Sequence, residues 1–225
     1  DRAVAGKTDG AKLRPGPEVE VQRRQVAMVL VVDRSASMGE QVGIYSKMDL
    51  AKRSALETAK ALKRGDQLGV ISFGRTGVPV VSLTDASNLD QIESELEKLR
   101  ATDRQTLVRN ALEQAQAMLE GSRAAVRHIV VISDGAIYDA GAIDHSAVLR
   151  AAQIKKRNIT LSAILIGEMP GQTWVPQMTR LGGGKFYHSI DAGSLPRFVS
   201  VEVASARGRI GRQPVTGAAA KVDPV

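Results

Sequence analysis

The sequence contains no cysteine, which removes disulfides and thiolate metal sites at the outset. Phe, Trp and Tyr together make up only 3% of its 225 residues, too few to build stacking platforms for single-stranded nucleic acid. No apolar run approaches the roughly 20 residues that cross a bilayer, and the polar stretch opening at Asp1 has no signal-peptide pattern. Neither membrane insertion by this segment nor nucleic-acid binding is expected. Acidic residues are in deficit, 24 against 31 Lys and Arg, for a net charge of +7. Much of that excess lies in LRPGPEVEVQRRQ and SARGRIGRQPVTGAAAK, near the two ends, where it reads as solvated tail charge. The histidines at 128, 145 and 188 have no metal-ligand spacing.

What is present is enough apolar sequence, 43%, for one core. Residues 1–24 are rich in Gly, Pro and charge, with a candidate strand at Glu18–Gln22, and residues 205–225 read as linker, leaving one domain at 25–204. Within it, strand and helix patterns alternate. Val26–Val32 is a continuous apolar run, as in a strand buried on both faces. Met48, Ala51, Ala55, Ala59 and Leu62 recur at helical spacing and stop at Gly65-Asp66. QLGVISF (67–73) and VPVVSL (78–83) form an expected hairpin, with Pro79 favouring an edge. A helix capped by Asp85 or Ser87 carries Ile92, Leu96 and Leu99, and another begins near Thr106. HIVVIS (128–133), TLSAILI (160–166) and GKFYHS (184–189) are further strands, separated by helices near 147–157 and 174–181 and followed by one near 195–203. This order predicts an α/β fold: a mostly parallel sheet, helices on both faces and one antiparallel edge strand.

Sites in such sheets form at the carboxyl ends of strands, near the switch point of the strand order. In VVDRSASMG (31–39) an apolar strand ends in Asp33 and then sets Ser35 and Ser37 at alternate positions. VVISDG ends a second strand in Asp134, and Thr106 adds a hydroxyl after the polar loop ATDRQ. Two carboxylates facing one crevice repel and call for a cation or a shared proton. Two carboxylates and three hydroxyls make an all-oxygen set suited to Mg²⁺ or Mn²⁺, with Ca²⁺ the weaker match. The glycine run GGGK (182–185) is not a phosphate loop, since Thr179 stands where the first glycine belongs and Phe186 follows the lysine.

Asp33-Arg34-Ser35-Ala36-Ser37, Thr106 and Asp134, in this order and in these strand contexts, resemble the D-x-S-x-S motif, the threonine and the distal aspartate of von Willebrand factor type A domains. The resemblance runs from about Ala27 to Val203. It implies a Rossmann-like, three-layer fold and a metal-ion-dependent adhesion site, with Asp33, Ser35, Ser37, Thr106 and Asp134 around Mg²⁺. LVVDRSASM, GDQLGVISF, HIVVISDG, LGGGKFYHS and LPRFV look like the bacterial branch, similar to the type A domain of large membrane proteins with a glutamine-amidotransferase-like domain. On that likeness the parent is anchored in a bacterial envelope, and both tails are stubs of flanking sequence. The family often places glycines before the threonine and an acid or amide after it; here Asp103-Arg104-Gln105 and Leu107 stand there, and Arg104 is in a position to crowd the metal. The segment 39–47 is longer than usual and is expected on the rim of the site.

The expected function is a non-enzymatic protein-binding module whose cation accepts an Asp or Glu carboxylate. The carboxylate comes from a partner protein or from a flanking domain of the same parent chain. Arg34, Arg104, Tyr45 and Tyr138 are the expected rim residues. The alternatives are a metal-assisted hydrolase and a structural domain with a degenerate site. Against the hydrolase stand the missing general base, nucleophile elbow and phosphate loop.

Overall fold

The computed structural model of the chain describes residues 24–135, 145–168, 174–189, 198 and 201–205. The expected strand at Glu18–Gln22 and the rim residue Tyr138 lie outside them. At the centre is β1 (Val26–Asp33), flanked by β4 (Gln67–Phe73) and β6 (Val126–Ser133). The other strands are β5 (Gly77–Asp85), β7 (Ile159–Ile166) and β8 (Gly183–Ser189), giving one six-stranded sheet in the order β5-β4-β1-β6-β7-β8. All its pairings are parallel except β4 with the edge strand β5, where Pro79 sits opposite Ile71. A separate two-stranded ribbon, β2 (Gln41–Val42) and β3 (Tyr45–Ser46), occupies the segment expected on the rim. The chain has a Rossmann-like α/β fold.

The unbroken apolar run of β1 is explained by its position. Alternate side chains point to opposite faces of a strand, and both faces of β1 are covered. Val26, Met28, Leu30 and Val32 join one core with α1 (Lys47–Ala61) and α2 (Leu89–Glu97). Ala27, Val29 and Val31 join the other, with α3 (Val108–Glu120), α4 (His145–Lys156) and α5 (Trp174–Leu181). Each large apolar side chain sealed this way contributes about 1.5–3 kcal/mol of transfer free energy. Helical backbone at 198 and 201–205 agrees with the expected last helix, and Val203 packs into the first core.

Two expected helix starts are shifted. α2 begins after Asn88 rather than on an Asp85 or Ser87 cap. Asp85 closes β5, and its carboxylate accepts from the Ser87 amide and hydroxyl and the Gly65 amide. α3 begins at Val108 with Leu107 in the N-cap position, so Thr106 lies one residue before the cap and does not cap the helix. The glycine run has a packing origin. A Cβ on Gly182 would meet the Leu161 side chain at 2.7 Å, and one on Gly184 would strike the Leu161 backbone, so β8 can lie against β7 only with bare backbone there.

Candidate metal centre

From β1 the chain builds β4 and β5 on one side, then returns to build β6 on the other, so the strand order reverses at β1. Asp33, the last residue of β1, is fully buried at that reversal. Its Oδ2 accepts from the Ser133 hydroxyl at 2.6 Å and its Oδ1 from the Ser35 amide at 2.8 Å. The Ser35 and Ser37 hydroxyls lie 3.1 Å apart, both buried. Desolvation pushes the Asp33 carboxyl up to about 7, against the pull of the Ser133 and Ser35 hydrogen bonds; the nearby Asp134 charge adds to the rise. Without a cation this group takes up a proton near neutrality.

Thr106 is brought to the same end of the sheet by its loop. The Ala36 amide donates to the Asp103 carbonyl at 2.7 Å, and the Thr102 and Asp103 amides donate to the Arg34 carbonyl at 3.1 Å. The Leu107 amide reaches the Gly74 carbonyl at 2.8 Å, just beyond β4. The Asp103 carboxylate accepts from the Arg75 amide at 3.0 Å and pairs with Arg34 Nη2 at 3.2 Å. That amide first, then the Gln105 amide and the Arg34 charge, hold its carboxyl below the usual range. Asp103 is thus a brace for the loop, and Arg34 is half-buried and committed to it rather than free on the rim. Arg104 is exposed. Thr106 itself is buried, and its Oγ1 has no hydrogen-bond partner. A buried hydroxyl left unpaired costs about 1–3 kcal/mol.

Asp134 directly follows β6 and is 2% exposed. Its Oδ2 accepts from Lys47 Nζ at 2.9 Å, and the same ammonium donates to Glu40 Oε2 at 2.6 Å. Lys47 is the first residue of α1, whose start is fixed by a reciprocal capping box between Ser46 and Asp49. Burial alone lowers the Lys47 pKa, but the hydrogen bonds and charges of Glu40 and Asp134 outweigh it and leave the group raised, so it stays protonated. Neither Lys47 nor Ser133 stands out in the sequence. Ser133 was legible only through the pairing of β1 with β6, which sets it beside Asp33.

All five residues singled out from the sequence therefore lie buried at the carboxyl ends of β1 and β6 or in the segments tied to them. Among the described residues no group of three or more His, Asp or Glu converges. The donors here are hydroxyls and carboxylates, the chemistry of a hard divalent cation. The unpaired Thr106 hydroxyl, in a loop tied to the same end of the sheet as the two buried carboxyls, fits such an ion. By contrast, the fully buried Asp66 is explained within the fold: it accepts from the Val26 amide at 3.0 Å and the Lys63 amide at 2.9 Å. The histidines are engaged elsewhere, His128 with Thr160 and Glu202 and His188 with the Gly167 carbonyl.

Residues 28–136 match the von Willebrand factor type A domain. The chain is 26% identical over 227 residues to a UPF0353 protein of Mycobacterium avium, and 25% identical over 226 residues to one of Mycolicibacterium paratuberculosis. These alignments cover 90% of this chain and 66% of each relative's length. Among solved structures it is similar to BatB of Bacteroides thetaiotaomicron, with a TM-score of 0.69 and 20% identity over 80% of this chain and 98% of that one. An aerotolerance-related membrane protein of Bacteroides fragilis gives 0.67 and 19% over 80% and 99%. A von Willebrand factor type A protein of Catenulispora acidiphila gives 0.71 and 20% over 82% and 43%. Strand order, switch point and family match agree that residues 28–136 belong to the von Willebrand factor type A domain family.

Proposed function

We propose that this domain is a protein-binding module whose contact with its partner runs through a divalent cation held by Asp33, Ser35, Ser37, Thr106 and Asp134. Mg²⁺ or Mn²⁺ suits the donor set, with Ca²⁺ the weaker match. The observation that carries this reading is the buried, unpaired Thr106 hydroxyl in a loop tied to the same sheet end as the two buried carboxyls. The bound ion supplies an electrophilic point for an Asp or Glu carboxylate of the partner. The chain's part is to hold two acids and three neutral oxygens rigidly at strand ends, so that few negative charges are spent on the ion. Binding rather than hydrolysis is favoured because the Ser35 and Ser37 hydroxyls bond to each other, while His128 and His188 are occupied elsewhere.

The parent is proposed to be an envelope protein, with the partner either a flanking domain or a separate envelope protein. The similar Bacteroides fragilis protein is an aerotolerance-related membrane protein, and the curated relatives extend beyond the length matched here. No helix among the described residues is long and apolar enough to cross a membrane, so on this reading the anchor belongs elsewhere in the parent. The test is calorimetric titration with Mn²⁺, followed by capture from a bacterial envelope extract with intact and Asp33→Ala protein, each with and without EDTA. The expected result is metal binding and capture by the intact protein alone, lost with chelator and restored by Mg²⁺ or Mn²⁺. Equal capture in all four conditions would place association on another surface.

A further inference from the structure

Lys47 reaches the carboxylate that a cation at this site also needs. Its side chain is 11% exposed, and its ammonium bridges the buried Asp134 and the 63% exposed Glu40. The stem is built into the fold. The Lys47 amide donates to the Glu40 carbonyl at 2.9 Å, and the capping box fixes the helix start. The stem also runs over Gly167, the residue after β7, where the backbone has φ +88° and a Cβ would come within 3.0 Å of Lys47 Cε. A glycine is required there by the backbone conformation, and its bare Cα also leaves the lane along which the lysine enters.

Resting on the reading that the site takes a divalent ion, we propose that Lys47 is the resident counter-cation of Asp134 and that the metal binds by exchanging with it. Two cations cannot share the Asp134 carboxylate without direct repulsion, which is strongest where water is excluded. A protein whose ion-competent state is only partly populated binds more weakly by that fraction. In the metal-free state Asp134 is neutralised from within, so the two acids do not force the site open. On exchange the ammonium swings outward but keeps Glu40, which lies on the solvent side of the bridge. Metal loading is thereby reported in the segment between Glu40 and Lys47, which carries the β2–β3 ribbon and the 86% exposed Ile44.

The experiment titrates MnCl₂ alone into the intact protein, Lys47→Met and Lys47→Gln by calorimetry, with circular dichroism to establish folding. Exchange predicts at least tenfold tighter Mn²⁺ binding in both variants. A second readout uses the intact protein only: reductive methylation with peptide mass mapping should label Lys47 several-fold faster once Mn²⁺ saturates the site. Should neither variant fold, the labelling decides. Unchanged or weaker Mn²⁺ affinity in folded variants, or equal Lys47 labelling with and without Mn²⁺, overturns the exchange and leaves the metal reading standing. No Mn²⁺ binding by the intact protein or by either folded variant overturns both.

Discussion

The Ser133 hydroxyl donates to Asp33 Oδ2 at 2.6 Å, joining the ends of two strands whose residues are 100 positions apart. Ser133 Oγ in turn accepts from the Gly135 amide at 3.0 Å, so one side chain sets both Asp33 and the turn that follows Asp134. Ser133→Ala is expected to lower stability by about 1–3 kcal/mol, because a buried amide and a buried carboxyl each lose a partner. It should also weaken Mn²⁺ binding at pH 7, since Asp33 loses a hydrogen bond that favours its ionised form. Urea denaturation and calorimetry read the two effects separately.

Thr106→Val removes a hydroxyl that bonds to nothing and caps no helix. The metal-free variant is expected to match the intact protein in urea within about 0.5 kcal/mol, or to exceed it. Its Mn²⁺ affinity should fall at least tenfold by calorimetry. Lost stability with unchanged metal affinity would make Thr106 a packing residue.

Gly74→Ala tests the brace. A Cβ at this position would run into the Asp103 side chain, which holds Arg34 and the Arg75 amide. Overpacking of this kind costs about 1–3 kcal/mol. The displaced loop should also carry Thr106 out of place, so both the urea midpoint and the Mn²⁺ affinity are expected to drop although no donor has been altered.

Arg104 is the exposed basic residue of this loop, whereas Arg34 is tied to Asp103. Arg104→Glu should leave stability and Mn²⁺ affinity nearly unchanged but slow association with an acidic partner. The loss should shrink as salt rises, because rim charges steer encounter more than they hold a complex. Surface plasmon resonance at several ionic strengths checks this against the captured partner.

The pH dependence of stability is expected to run through Glu202. Burial raises its carboxyl, but the hydrogen bond and charge of His128, with bonds from Tyr187 and Ser162, outweigh burial and hold it at about 2 against 4.5 ordinarily. A lowered folded-state pKa adds stability above pH 4.5 that is lost as pH falls toward 2. Glu202→Gln should cost roughly 3 kcal/mol at neutral pH, with the difference from the intact protein vanishing near pH 2. Urea midpoints between pH 2 and 7 measure both arms.

Strands, helices and their order were legible because the signals are local. A strand buried on both faces must be apolar at every position, which is what 26–32 shows, and the carboxyl-end acids Asp33 and Asp134 announce themselves by ending such runs. Helix starts were less legible. Asp85 and Thr106 look like caps in one dimension, yet Asp85 serves the β5 turn and Thr106 stands outside α3. What only the tertiary structure decided is who partners whom across the switch point. Lys47 meets Asp134 across 87 residues, Ser133 meets Asp33 across 100, and Arg34 turns from the rim to Asp103. The sequence by itself determined which acids close the buried strands, because an apolar run ended by Asp33 or Asp134 is a property of the chain. It left open which charges balance them, because a lysine at the first turn of a helix carries no local mark of the carboxylate that packing will set against it.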